Sequence, residues 1–165
     1  MIEVLRALEE SLADELVLEG ELLEAGIQMR DALVALDLRQ VEQATSREQN
    51  VLVALGPAGE RRLRWTSAAA RLLGLVDQEA SVTRVAQRAG EPYASRLLSQ
   101  ADRVRTTLRE VARVNQTNRA LTLQSLGHVK RFFLILGGVR EQLTYTRRGQ
   151  GSRPEIPKVM IDRVI

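Results

Sequence analysis

The sequence predicts an all-α protein: an elongated antiparallel helical bundle or coiled coil, with one very long C-terminal helix and a flexible apolar tail. Three observations carry that expectation. Hydrophobic residues make up 44% of the 165 positions but aromatics only 3%, so Leu, Val and Ala must fill the interior. That suits interdigitated helices better than strands, which favour β-branched and aromatic residues. Apolar residues recur at helical spacing through the first 36 positions. Between Tyr93 and Leu126 there is neither Gly nor Pro.

The first helix is expected from about Ile2 to Leu36. Leu5, Leu8, Leu12, Leu16, Leu22, Leu23, Met29, Leu33 and Leu36 form a near-heptad stripe with charged residues between them. Asp37 followed by Gln40 has the spacing of an N-cap and its reciprocal partner. The apolar series then restarts at Leu38 and runs through Val41, Thr45, Leu52 and Leu55, as a second helix returning along the first; a helix that only bends at Asp37 is the alternative. Gly56-Pro57-Ala58-Gly59 is expected to break the chain. A further helix is expected from Arg61 to Leu75, with Leu63, Trp65, Leu72 and Leu73 as candidate core. Asp77 and Ser81 read as turn or cap residues, and Ser81 to Ala89 as a short helix ended by Gly90. Glu91-Pro92 starts the long helix, because Pro is tolerated where a helix has no N–H to pair. Gly137-Gly138 is expected to stop it, after about 45 residues and roughly 65–70 Å. A helix of that length needs the first helix, and the second, laid antiparallel along it. Residues 1–149 then make one helical domain, and residues 150–165 a flexible tail ending in the apolar run Ile156 to Ile165.

Composition removes several functions. The chain has no Cys and a single His, His128, so disulfides, thiolate or His-based metal sites and Cys nucleophiles are excluded, and no cofactor is expected. Carboxylates on the first helix read as a solvated face. No nucleophile, metal-ligand set or phosphate loop accompanies them, so no catalytic residue is named. No run approaches the roughly 20 apolar residues of a membrane span, which argues against membrane insertion. Charges in Met1 to Arg6 stand where a signal peptide would be apolar, so a cytoplasmic location is expected. Up to Glu60 there are 13 acidic and 4 basic residues; beyond it, 8 acidic and 20 basic. An acidic hairpin packed beside a basic helix accounts for this. With no stacking aromatics or DNA-reading motif, nucleic acid is not expected as a partner.

On the long helix, steps of four and three give the seam Leu97, Ala101, Val104, Leu108, Val111, Asn115, Asn118, Thr122, Ser125, Val129, Phe132, Leu136. Asn115 and Asn118 are its structural register candidates, since a seam Asn sacrifices stability to fix pairing; a direct role in binding is the alternative. Leu97, Val104, Leu108 and Val111 are expected to face Leu residues of the first helix. Beyond Asn118 the apolar residues wrap most of the way around. Leu121, Leu126, Val129, Phe132, Phe133 and Leu136 are the candidate partner-binding residues, with Phe133 as anchor. A third helix, a second subunit (self-association) or a client protein must cover them.

Asn115-Gln116-Thr117-Asn118 in a long Leu/Val helix, the Gly137-Gly138 pair, and Thr144-Tyr145-Thr146-Arg147-Arg148-Gly149 follow one another in an order that resembles the C-terminal part of FlgN-like flagellar export chaperones. Ala35-Leu36-Asp37-Leu38 and Thr45-Ser46-Arg47-Glu48 are similar to that family's first turn-back. The chain has Thr146 after the Tyr where other members often have Gly. The resemblance implies a chaperone that binds hook-associated (hook–filament junction) proteins and delivers them to the cytoplasmic domain of the flagellar type III export gate. It also implies that Tyr145 docks on that gate; packing back onto the helix end is the alternative for this Tyr. A general coiled-coil adaptor, another class of secretion chaperone, and a basic helical nucleic-acid-binding protein are the competing readings.

Overall fold

The computed structural model describes residues 1–76 and 80–143, with residues 137–143 described by their backbone alone. Four helices follow in order: α1 (Ile2–Ala35), α2 (Leu38–Leu72), α3 (Val82–Ala89) and α4 (Tyr93–Leu143), and there is no strand among the described residues. The chain divides into two compact units, residues 1–124 and residues 125–165, and α4 contributes to both.

In the first unit, local chemistry sets the helix ends where the sequence placed them. α1 stops at Leu36, whose backbone turns left-handed at φ 56° while its N–H still meets the Ala32 and Leu33 carbonyls. Asp37 then caps α2: its carboxylate accepts from the Gln40 N–H at 3.1 Å and from the Gln40 side-chain amide at 2.9 Å. The expected reciprocal bond is not formed, since the Asp37 N–H donates to the Ala32 carbonyl at 3.0 Å. The Ser81 hydroxyl accepts from the Arg84 N–H to open α3, and Gly90, at φ 73°, closes it. The Gly90 carbonyl also accepts from the Ala94 N–H at 2.9 Å, so the same residue launches α4. Asp77, expected at a turn, lies outside the described residues.

Two expected breaks are absent. α2 runs unbroken through Pro57 to Leu72, so the helix expected from Arg61 is its second half. Pro57 and Val53, whose carbonyl loses its intrahelical partner, both face solvent, and water can serve that carbonyl. On the opposite side Val51, Ala58, Thr66, Ala69 and Ala70 are buried, and that tertiary packing outweighs a local cost of about 3 kcal/mol. Likewise α4 passes through Gly137-Gly138 to Leu143. Each Gly costs a helix about 1 kcal/mol, which weakens it without ending it.

α1 and α2 are antiparallel, as expected: Arg47 pairs with Glu24 at 2.9 Å and Arg62 with Glu15 at 2.5 Å. α4 runs parallel to α1, against expectation, since Arg96 lies by Glu9 and Asn118 by Gly26. The cause is the unbroken α2, which returns the chain to its starting end before α4 begins. The main core gathers Leu5, Leu8 and Leu12 of α1, Ala69 and Ala70 of α2, Val85 and Ala86 of α3, and Leu97 of α4. A second cluster joins Leu22, Val51 and Val111. Each fully buried Leu contributes about 1.5–3 kcal/mol. Leu63, Trp65 and Leu72 are exposed rather than core, and only Leu73 packs against the interior. With α2 in one piece, Ala58, Thr66, Ala69 and Ala70 take the inward positions and their neighbours turn outward.

Candidate partner-binding surface

In the second unit, the described part of α4 presents large apolar side chains to solvent. Leu126, Val129, Phe132, Phe133, Leu134, Ile135 and Leu136 are all exposed, Phe133 at 66%. The Phe132 and Phe133 rings meet edge to face with centroids 6.3 Å apart. Of the residues named as partner-binding from sequence, Leu126, Val129, Phe132, Phe133 and Leu136 belong to this exposed set. Leu121 lies in the first unit and is half-buried. Soluble surfaces rarely leave so many large apolar residues contiguous without a reason. No helix among the described residues is long and apolar enough to cross a membrane. Tyr145 lies outside the described residues.

In the first unit, the seam of α4 keeps the expected seven-residue anchors but shifts the residue between them. Leu97, Val104, Val111 and Asn118 turn inward, and the intervening places from Val104 onward go to Thr107 and Val114. Leu108, expected to face α1, is 46% exposed, and Asn115 is exposed. Reading the seam by apolar identity favoured Leu108 over Thr107, and the error carried forward by one residue. Asn118 is buried, and its side-chain amide donates to the Gly26 carbonyl of α1 at 2.8 Å. Gly26 allows that approach: a Cβ there would lie 3.1 Å from Val114 Cγ1.

Lower on α1 stands a cluster that sequence reasoning read only as solvated carboxylates. Glu15 and Glu19 are buried. Glu15 is held by Arg62, while Glu19 Oε2 has no hydrogen-bond partner among the described residues. Burial pushes the Glu19 carboxyl up to about 7; the Glu15 charge adds to the rise and Arg62 opposes it. The available signal was spacing, since Leu5, Leu8, Leu12, Glu15, Glu19 and Leu22 continue one inward stripe in steps of three and four. Glu48 on α2 is also raised by burial. No group of three or more His, Cys, Asp or Glu among the described residues is arranged to hold a metal ion.

Comparison with known proteins gives one result. A family model described as FlgN protein matches residues 1–153. No curated protein and no solved structure matches the chain.

Proposed function

The chain belongs to the FlgN family of flagellar export chaperones, and from that premise we propose that its clients are hook-associated, hook–filament junction proteins. It binds them in the cytoplasm before secretion, keeps their terminal helices from associating, and delivers them to the cytoplasmic domain of the flagellar type III export gate. The observation that carries this reading is the exposed apolar stretch of α4 from Leu126 to Leu136. A client helix laid along Leu126, Val129, Phe133 and Leu136 buries apolar area at roughly 25 cal/mol per Å² before association costs. Helix-on-helix recognition of this kind needs no chemistry, so the role is one of binding and not of catalysis. In the first unit, Asn118 fixes the register of α4 on α1 through its bond to the Gly26 carbonyl.

Co-purification tests the client class. The tagged chain is expected to retain purified junction proteins and to pass filament and cap proteins; the reverse selection excludes the reading. Tyr145 carries the gate-docking step. Tyr145→Ala is expected to weaken binding to the gate's cytoplasmic domain while client affinity and Tm stay unchanged. A matching loss of Tm instead assigns Tyr145 to packing on the helix end.

A further inference from the structure

From Val111 to Arg140 the sequence contains no Asp or Glu, yet it carries Arg113, Arg119, Lys130, Arg131 and Arg140 together with His128. Lys130 stands four residues after Leu126, three before Phe133 and four before Leu134. Helical spacing therefore sets its ammonium among the exposed apolar groups and not on a separate polar face. Arg131 stands beside Leu134 and Ile135, on the far side of α4 from Leu126 and Phe133. Both cations are exposed, and no carboxylate pairs with either among the described residues. A partner that covers Leu126, Phe133 and Leu134 must also pass over Lys130. Removing a cation from water without a counter-charge cancels much of the apolar gain.

We propose that this surface selects a partner helix whose apolar stripe is flanked by Asp or Glu, a carboxylate meeting Lys130. The inference rests on the reading that Leu126 to Leu136 holds a client helix, and it names that client's chemistry. A second copy of this chain is a poor occupant, because it brings the same cations with no acids over the same stretch. Nucleic acid meets the cations but leaves Leu126, Phe133, Leu134 and Ile135 in water. An anionic lipid surface suits a helix with one apolar and one polar face, whereas here apolar residues surround the cations.

Two synthetic helical peptides test it, identical in their Leu seam, one flanked by Glu and the other by Lys, each titrated into the full chain. The Glu-flanked peptide is expected to bind about tenfold tighter or more, and the gap is expected to narrow as salt rises. A Lys130→Glu variant with unchanged helical content is expected to reverse the preference. Equal affinity for both peptides overturns the proposal, as does binding of neither. Preferential retention on duplex DNA or phosphatidylserine vesicles, or a free chain that dimerises through this stretch, overturns it too. A Phe133→Asp arm separates the two failures. If that variant still binds the junction protein, the client-face reading is lost. If it loses the junction protein while the peptides show no charge preference, only the present proposal falls.

Discussion

Glu19 is only 2% exposed, on the inner side of α1. Its carboxyl, ordinarily near 4.5, is raised to about 7 chiefly by burial. Between those values the folded chain holds a proton that the unfolded chain has released. The resulting stabilisation is complete below about pH 4.5, falls as pH rises toward 7, and is lost above it. Glu19→Gln removes this dependence. In urea unfolding the variant is expected to exceed the parent by on the order of 2–3 kcal/mol at pH 8, with little difference at pH 4. A constant difference across that range would show that Glu19 stays hydrated and ionised in the fold. Gly26 is the complementary case, where the missing side chain is the feature. Gly26→Ala drives a methyl toward Val114 Cγ1, beside the carbonyl that accepts from Asn118. A loss of about 1–3 kcal/mol is expected in thermal unfolding, and an unchanged Tm would mean that α4 shifts to accept it.

At the scale of elements, the seam of α4 gives a direct comparison. Leu97 is fully buried in the main core, and Leu97→Ala is expected to cost about 2–5 kcal/mol. Leu108 lies half in solvent, and Leu108→Ala is expected to cost less than about 1 kcal/mol. Equal losses in chemical denaturation would restore the unshifted seam. Legibility in the sequence divides along the same line. The Asp37–Gln40 cap, Ser81 and Gly90 were readable because each acts on the backbone within a few residues of itself. Pro57 was misread because a breaker imposes a local cost, and burial of residues along the same helix such as Val51 and Ala69 decides whether that cost prevails. Gly137-Gly138 was misread because Gly weakens a helix but keeps its backbone N–H groups. The direction of α4 against α1 followed from the same misjudgement, since a break after Leu55 changes the number of passes the chain makes. The exposed stretch from Leu126 was readable because apolar residues occur there on too many sides for one neighbour. The buried carboxylates of α1 were not, because Glu at an inward position looks like any other Glu until the facing helix is known.

For the molecule as a whole, the two units divide the work. Residues 1–124 hold the buried clusters and the ion pairs that join α1 to α2, whereas the described residues from Ser125 place their large apolar groups in water. The net charge of +3 conceals an acidic beginning and a basic remainder. Glu9, Asp14, Glu15 and Glu24 of α1 find Arg partners on α2 or α4, while Lys130 and Arg131 find no carboxylate among the described residues. On the reading proposed above, a client helix covers the exposed surface that the described residues from Ser125 leave in water. Calorimetric titration of a junction protein into the Phe133→Asp variant tests that claim most directly, with circular dichroism confirming that the helices remain. The account predicts that the charged anchor weakens client binding by at least about a hundredfold, the loss expected at a hot-spot residue, with Tm unchanged. Undiminished affinity in a folded variant would place the client face elsewhere on the chain.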